Sequence, residues 1–404
     1  DRSNVNPTQF GKLWSYSVDG VIFAQPLYVQ NLTVNGAAHN VLFVATMNDL
    51  VYAYDADRSG APLWIRDFRT GGATAAPSAW TPELGNTIGV LSTPVIDTPS
   101  NSGAMFIVAQ TVEGGNWVYR LHKMSITTGA DIVPSSIISA TKSGITFDPQ
   151  MHNQRPALVL VNGQVVICFS SRPYDDRPFH GWMMSYDAGT LAQKGVFVTT
   201  TSDDGAGIWG SGGAPPVDSA GNVYALTGNA FDPSIGYNGT TNFSESLLKM
   251  SVSTSGALHL SDWFTAYNWS DLDTKDEDLS CNAPMLIPNT DLIAFGSKTA
   301  DVYVAHTGSL GHLQNNNSQL AAFFHVGKPI TPQFNDGDRL LGLAYWVGPN
   351  GPTMYAWPAF DRLHSFSFNG TQFTETASNQ ITGFGEPGMP CLLYTSPSPR
   401  DRQK

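Results

Sequence analysis

A proline followed at once by a short apolar run recurs along this 404-residue chain, and it constrains the fold more than any other feature. The copies are "AQPLYV" at Pro26, "STPVID" at Pro94, "QRPALVLV" at Pro156, "GAPPVD" at Pro215 and "NAPMLIP" at Pro284, spaced by 68, 62, 59 and 69 residues. A sixth copy, "GLAYWVG" around Tyr345, keeps the run without the proline. Proline has no N–H to give to a ladder, so it belongs at the first residue of a strand. Behind each head the order repeats. A second strand follows ("NVLFVAT", "NVYALTG"), then a third ("LVYAYDA", "DVYVAHT"), then a tight turn and a fourth, as in "DRSGAPLWIRDF". The runs alternate, or are short and wholly apolar, and are rich in Val, Ile, Tyr and Phe, which reads as strand. Four strands per unit, repeated at a near-constant period, predict an all-β chain of propeller blades.

The third-to-fourth-strand segment carries a resemblance. "VYAYDADRSGAPLW" (residues 51–64) resembles the blade motif of the pyrroloquinoline-quinone-type propellers: an apolar strand ending in Asp-Ala, a glycine turn, then Leu-Trp. "LHKMSITTGADI" and "WMMSYDAGTLAQKGVF" are weaker copies, and the resemblance covers roughly residues 10–390. That family includes quinoprotein alcohol dehydrogenases, the outer-membrane assembly lipoprotein and exported propellers of no assigned activity, which this chain looks most like. The resemblance implies a ring of seven or eight blades, of which six are visible here, so the ring is expected to be incomplete. It also implies what a dehydrogenase would need: a quinone held beneath a disulfide of adjacent cysteines and above a tryptophan, with a calcium ion and a catalytic Asp.

Both ends bear on the blade count. Gly388-Met389-Pro390 looks like the head of a seventh unit, but "CLLYTSPSPRDRQK" follows in place of a strand. Residues 391–401 translate a DNA string that looks like a sequencing-library adapter. The expectation is one incomplete propeller domain over residues 1–390 and a non-native tail over 391–404. At the other end "GKLWSYSVDG" (residues 11–20) resembles an outer strand that precedes the first blade, as if to complete a last one.

Charge and cysteines narrow the function classes. A net charge of −12 argues against a nucleic-acid partner. There is no apolar run of about 18 residues to span a membrane. The three cysteines, Cys168, Cys281 and Cys391, form neither a CxxC nor an adjacent pair, which weighs against the quinone-capping disulfide. Few lysines and many Asn, Ser and Thr lean towards a secreted or periplasmic protein.

No hydrolase, zinc-protease or nucleotide-loop motif appears, so whether the chain is an enzyme stays open. "DADRSG" (residues 55–60) resembles the start of a calcium loop, but Arg66 stands where a bidentate Glu would be needed, which favours a polar turn. The acidic run "DLDTKDEDLS" (residues 271–280) is expected to be a solvated loop rather than a cation site. No cofactor is evident, and a quinone with calcium is the alternative. Trp182 and Trp209 each offer a stacking surface, though an aromatic there more often packs a blade.

Topology supplies the remaining signal. In an up-and-down blade the loop leading into the first strand shares a face of the ring with the loop between strands two and three. The long loops "FDPQMHNQR", "SRPYDDRPFHGW", "DDGAGIWGSGG" and "GNAFDPSIGYNGTTNFSES" of blades three and four all fall on that face. They place His152, Arg155, Arg172, His180, Trp209, Asn229 and Asp232 on one side as candidate ligand-binding residues. Arginine suits an anionic group, and His180 is the one candidate acid or base near neutral pH. The competing reading has His152, Arg155 and His180 pinning the loops by bonds to backbone carbonyls. The expected function is an exported propeller that binds a small molecule or a protein partner on this face. The runner-up is a quinone-dependent alcohol or sugar dehydrogenase.

Overall fold

The computed structural model describes residues 11–78, 85–98, 103–172, 176–327, 342–359 and 361–382. The expected seventh head and the tail at 391–404 lie outside them.

Six antiparallel sheets follow one another along the chain, each starting at or just behind an expected head. Blade one is Leu27–Val34, Ala37–Ala45, Leu50–Asp55 and Trp64–Asp67, hydrogen-bonded in that order. Blade two is built on Ala104–Glu113 and Asn116–Ser125, with Val95–Ile96 inside and Ser136–Ile137 outside. Blade three runs Val159–Val161, Gln164–Ser171, Trp182–Asp187 and Gln193–Val198. Blade five runs Met285–Leu286, Leu292–Gly296, Asp301–His306 and Ala322–His325. Blade six runs Leu343–Gly348, Gly351–Ala356, Arg362–Phe368 and Phe373–Thr382. In blade four the first strand shrinks to one bridge, Val217 to Val223, ahead of Asn222–Leu226, Ser246–Val252 and Leu258–Thr265.

Alternation explains the packing. One face of each sheet meets the opposite face of the next, so five apolar clusters form between consecutive blades. Val159, Val166 and Cys168 of blade three, for example, pack on Val223, Ala225 and Leu248 of blade four. Equivalent clusters join blades one to two, two to three, four to five and five to six. Among the described residues no cluster joins blade six to blade one, so the six described blades form an incomplete ring. The outer face of blade one is covered by the N-terminal segment. Residues 11–20 form no strand, unlike the expectation, and their bonds to blade one run through side chains rather than along a ladder. Tyr16 stacks on Tyr54 at 4.2 Å, Tyr54 Oη donates to the Ser17 carbonyl, and the Asp19 N–H donates to Tyr52 Oη.

The heads of the first strands meet at a hub. The Gln25 N–H bonds Thr93 Oγ1, the Leu158 N–H bonds the Thr93 carbonyl, and the Ala157 N–H bonds the Gly213 carbonyl, which joins blades one to four. In blade three the inner strand is broken. His152–Asn153 pairs with Ser171 and Ser170, while regular pairing resumes only at Val159 opposite Val166. Residues 154–158 therefore bulge from the ladder, carrying Arg155 and Pro156 out of it.

Candidate functional site

The bulge is anchored by a histidine. His152 Nδ1 donates to the Asp148 carbonyl at 2.7 Å, and Nε2 accepts the His180 N–H and the Trp182 indole N–H, both at 3.1 Å. An Nε2 that accepts two N–H groups must keep its lone pair, so the ring is neutral. Burial lowers its pKa to about 4. Trp182 is wholly buried and packs the interface of blades two and three, so it offers no stacking surface. His180 is nearly buried, with Nδ1 on Thr200 Oγ1 at 2.9 Å, and burial lowers its pKa despite Asp204 and Asp203.

Above this layer lie the cations. The Arg155 guanidinium sits 5.0 Å from the Trp209 ring centre, and Trp209 meets Phe179 edge-on at 6.2 Å. Arg172 turns towards blade two and lies over Trp117 at 5.4 Å. Arg177, absent from the sequence reading, forks onto Asp204 and covers Phe231 at 4.1 Å. Asp232 lies exposed at a loop tip, where its carboxylate accepts the Ser234 N–H and Oγ.

Beneath Asn229 the structure buries acids that were expected to be solvated. The run 271–280 folds as a helix, Trp269–Lys275, and a turn, Leu279–Cys281, which tuck Asp273 and Asp278 inside at 6% and 3% exposure. Charge runs are solvated when nothing needs them, but here backbone N–H groups do. Asp278 Oδ1 accepts the Asn229 N–H at 2.8 Å, and Asp273 Oδ1 accepts the Ala230 N–H at 3.0 Å. Glu245 Oε2 accepts the Leu279 N–H at 2.7 Å. Lys298 bonds Asp278 and Asp276, whose charges hold its pKa above the ordinary value although burial alone would lower it. Burial raises Asp273 to about 7, and burial with Asp278 and Asp273 nearby raises Glu245 well above the usual carboxylate range. No motif marked Glu245 or Lys298 in the sequence. The usable signal was their place within the loops joining strands two and three, Glu245 in blade four and Lys298 in blade five.

Six side chains at this junction present buried polar atoms that no protein group meets. They are Asn153, with both amide atoms, Ser170 Oγ, Trp209 Nε1, Asn229 Oδ1, Glu245 Oε1 and Ser280 Oγ. Two glycines bring most of them close. A Cβ at Gly207 would lie 3.1 Å from the Ser170 Cβ and 3.2 Å from Trp209 Nε1. One at Gly228 would lie 1.9 Å from Asp278 Oδ1 and 2.8 Å from Ser280 Oγ. The two glycines bond each other, Gly228 N–H to the Gly207 carbonyl, at 3.0 Å. His152, His180, Arg155, Trp209 and Asn229 thus share one junction of blades three to five, while Arg172 and Asp232 lie to its sides.

A calcium-bound quinone does not fit the described residues as they stand. Cys168 and Cys281 are buried free thiols from different blades, and Asp278 is engaged by Asn229 and Lys298. Among the described residues no set of three His, Cys, Asp or Glu side chains is disposed to hold a metal ion. Nor does any described helix have the length and apolarity to cross a membrane.

No protein-family profile and no curated relative matches the sequence. Solved structures do. A quinohemoprotein alcohol dehydrogenase from Pseudomonas putida superimposes with a TM-score of 0.52 at 15% identity, over 87% of this chain and 53% of that one. The corresponding enzyme from Comamonas testosteroni gives 0.52 at 12%, over 91% and 58%. A europium-containing methanol dehydrogenase gives 0.55 at 13%, over 90% and 67%. The chain spans little more than half the length of the two alcohol dehydrogenases, and at these identities the likeness is one of architecture. The fold of this chain is the quinoprotein-dehydrogenase-type β-propeller.

Proposed function

We propose that the chain is an exported, ligand-binding propeller whose site is the junction of blades three to five, and that its ligand is a small polar molecule with an anionic group. The carrying observation is the set of buried polar atoms without protein partners. Buried polar groups are nearly always bonded, and each one left unmet costs about 1–3 kcal/mol. Six around one junction match a ligand that brings both donors and acceptors. Arg155 beside Trp209 supplies the positive charge for a carboxylate, and the surrounding acids would reject a second one. Export rests on composition alone. A protein partner is the other occupant this face would suit.

The fold favours a second reading, a quinone-dependent dehydrogenase. One titration compares the two. Tryptophan fluorescence is followed while the chain receives small carboxylates or, separately, pyrroloquinoline quinone with and without calcium. The first reading expects a carboxylate to bind, with Arg155→Ala and Trp209→Ala each weakening it tenfold or more. If both variants fold and bind as wild type does, the site lies elsewhere. Calcium-dependent quinone binding with alcohol-driven dye reduction would replace the first reading by the second.

A further inference from the structure

The interface of blades one and two holds a polar notch beside its apolar cluster. Met105, Ile107, Met124 and Ile126 pack on Phe43, Val51 and Ala53. Further along the same two strands of blade two the lining turns polar, and a cavity of about 390 Å³ opens between the blades. That volume falls in the usual range of small-molecule sites. The cavity does not belong to the junction described above, whose residues come from blades three to five.

Two ion pairs frame it. Arg120 forks onto Glu113, Nε to Oε1 at 2.6 Å and Nη2 to Oε2 at 2.7 Å. Arg66 Nη2 donates to Asp131 Oδ2 at 2.7 Å, and His122 Nδ1 lies 3.1 Å from Asp131 Oδ1. The first pair lies within blade two, and the second crosses between blades, since Arg66 is on the last strand of blade one while Asp131 follows the third strand of blade two. Each of the four charged side chains stays about one quarter exposed, which leaves part of it in reach of a ligand. Arg66 Nε is buried and meets no protein acceptor. Phe68 forms an apolar wall, held by His122 at 4.4 Å and Arg66 at 5.3 Å. At the mouth, Gly71, Gly72 and Gly114 leave open space where a Cβ would point.

We infer that this notch binds an uncharged polyhydroxyl molecule, a neutral mono- or disaccharide. Two arginines balance two carboxylates, so the frame has no net charge to attract an ion. An anion would have to displace Glu113 or Asp131 from its arginine, and a cation the reverse, leaving a partly buried charge unpaired. A sugar needs neither. Its neighbouring hydroxyls accept from a guanidinium and donate to the adjacent carboxylate, while its C–H surface covers Phe68 and Ala109. Ser135 adds a hydroxyl, its Oγ 3.5 Å from Arg120 Nη1, while the buried Thr111 donates its own to Glu113.

The test is calorimetry on the whole chain with glucose, galactose, mannose, maltose, lactose and cellobiose, beside galacturonate and glucosamine as charged controls. At least one neutral sugar should bind better than both charged ones. Ser135→Ala, a change on a half-exposed turn that leaves both ion pairs intact, should weaken that binding about threefold. Glu113→Gln should weaken it tenfold or more. Binding of no neutral sugar, preference for a charged one, or unchanged affinity in folded Ser135→Ala and Glu113→Gln would each overturn the assignment. The carboxylate titration at the other site is scored separately, so failure of one reading leaves the other standing.

Discussion

The connection between strands two and three is four residues long in blade one, 46–49, and nineteen in blade four, 227–245, yet both begin and end alike. Each opens on a threonine whose N–H bonds the carbonyl of the residue heading the third strand: Thr46 to Leu50 and Thr227 to Ser246, both at 2.9 Å. Each closes on a buried acid in the left-handed region, Asp49 at φ 58° and Glu245 at φ 46°. The carbonyl of that acid accepts the N–H of the residue after the fourth strand, Phe68 at 3.0 Å and Ala266 at 3.2 Å. Blade five repeats the device with Ala300 at φ 59° bonded to the Val326 N–H, so the turn itself requires no carboxyl. The repeat thus fixes how the chain leaves and re-enters the blade. What lies between is free to vary, and in blade four it carries Asn229 and the loop against which the acids of residues 271–280 fold. The position after the opening threonine shows the divergence. Blade one places Met47 there, buried with Val21, Ile88 and Leu91, and blade four places Gly228 against Asp278.

Exchanging the demands of those two positions should give the largest effects. Gly228→Ala puts a Cβ 1.9 Å from an Asp278 oxygen that is tied to Lys298 and Asn229, so the acid layer must shift. The expected loss is about 3 kcal/mol of stability, at the upper end for overpacking, together with loss of carboxylate binding. Met47→Ala leaves a cavity in an apolar cluster and should cost about 2–3 kcal/mol with ligand affinity unchanged. Urea unfolding combined with the fluorescence titration reads both. A Gly228→Ala protein as stable as wild type would mean that the two turns differ in length only.

A smaller effect separates the two acids by pH. Burial raises the pKa of both Asp49 and Glu245. A raised carboxylate contributes stability that is fully present below its unfolded value, near 4, and is lost as pH rises through the folded value. His152 runs the other way. Its folded pKa of about 4 lies below the unfolded 6.5, so its contribution is present above 6.5 and is lost as pH falls towards 4. Asp49 has no protein partner for either oxygen, so Asp49→Asn should raise stability at pH 7 by about 1 kcal/mol or more and change nothing near pH 3. Glu245→Gln should gain less, because Oε2 already has the Leu279 N–H, and it should alter ligand binding where Asp49→Asn does not. Denaturation curves from pH 3 to 8 distinguish them. Equal gains, with no ligand effect from either, would make the blade-four acid one more copy of the blade-one acid.

The same contrast explains what could be read from sequence. Blade heads were legible because proline at a strand start and alternation behind it are local requirements, met directly at Pro26, Pro94 and Pro284, while at Pro156 the bulge delays the strand to Val159. The face assignment rested on connections in an up-and-down sheet alternating between its two faces. Loops of neighbouring blades touch, as Arg177 with Asp204 and Asp273 with Ser244 show. The acid layer was not legible. Asp273 and Asp278 read as solvent-facing because their partners, the N–H groups of Ala230 and Asn229, lie more than forty residues earlier. His152 was singled out for its residue type. Its engagement inside the bulge depends on Trp182 and the His180 N–H, which only the folded register brings to it.

The smallest effect is expected at the tip of the long loop. Asp232 carries a charge on the face named for binding, but its carboxylate bonds Ser234 within its own turn, and that bonding lowers its pKa. Its tie to the rest of the site is through the backbone, whose N–H reaches Asp203 at 2.9 Å. An Asx side chain that closes a local turn is replaceable by one with the same acceptor. Asp232→Asn should therefore leave both melting temperature and carboxylate affinity at wild-type values, and Asp232→Ala should loosen only the turn. Tighter carboxylate binding in Asp232→Asn would show that the charge at the tip is felt by the ligand. Weaker binding would show that the ligand touches it. Either change would extend the site from the junction of the blades to the end of the insertion, and the contrast with the four-residue turn of blade one would then include recognition by the loop itself.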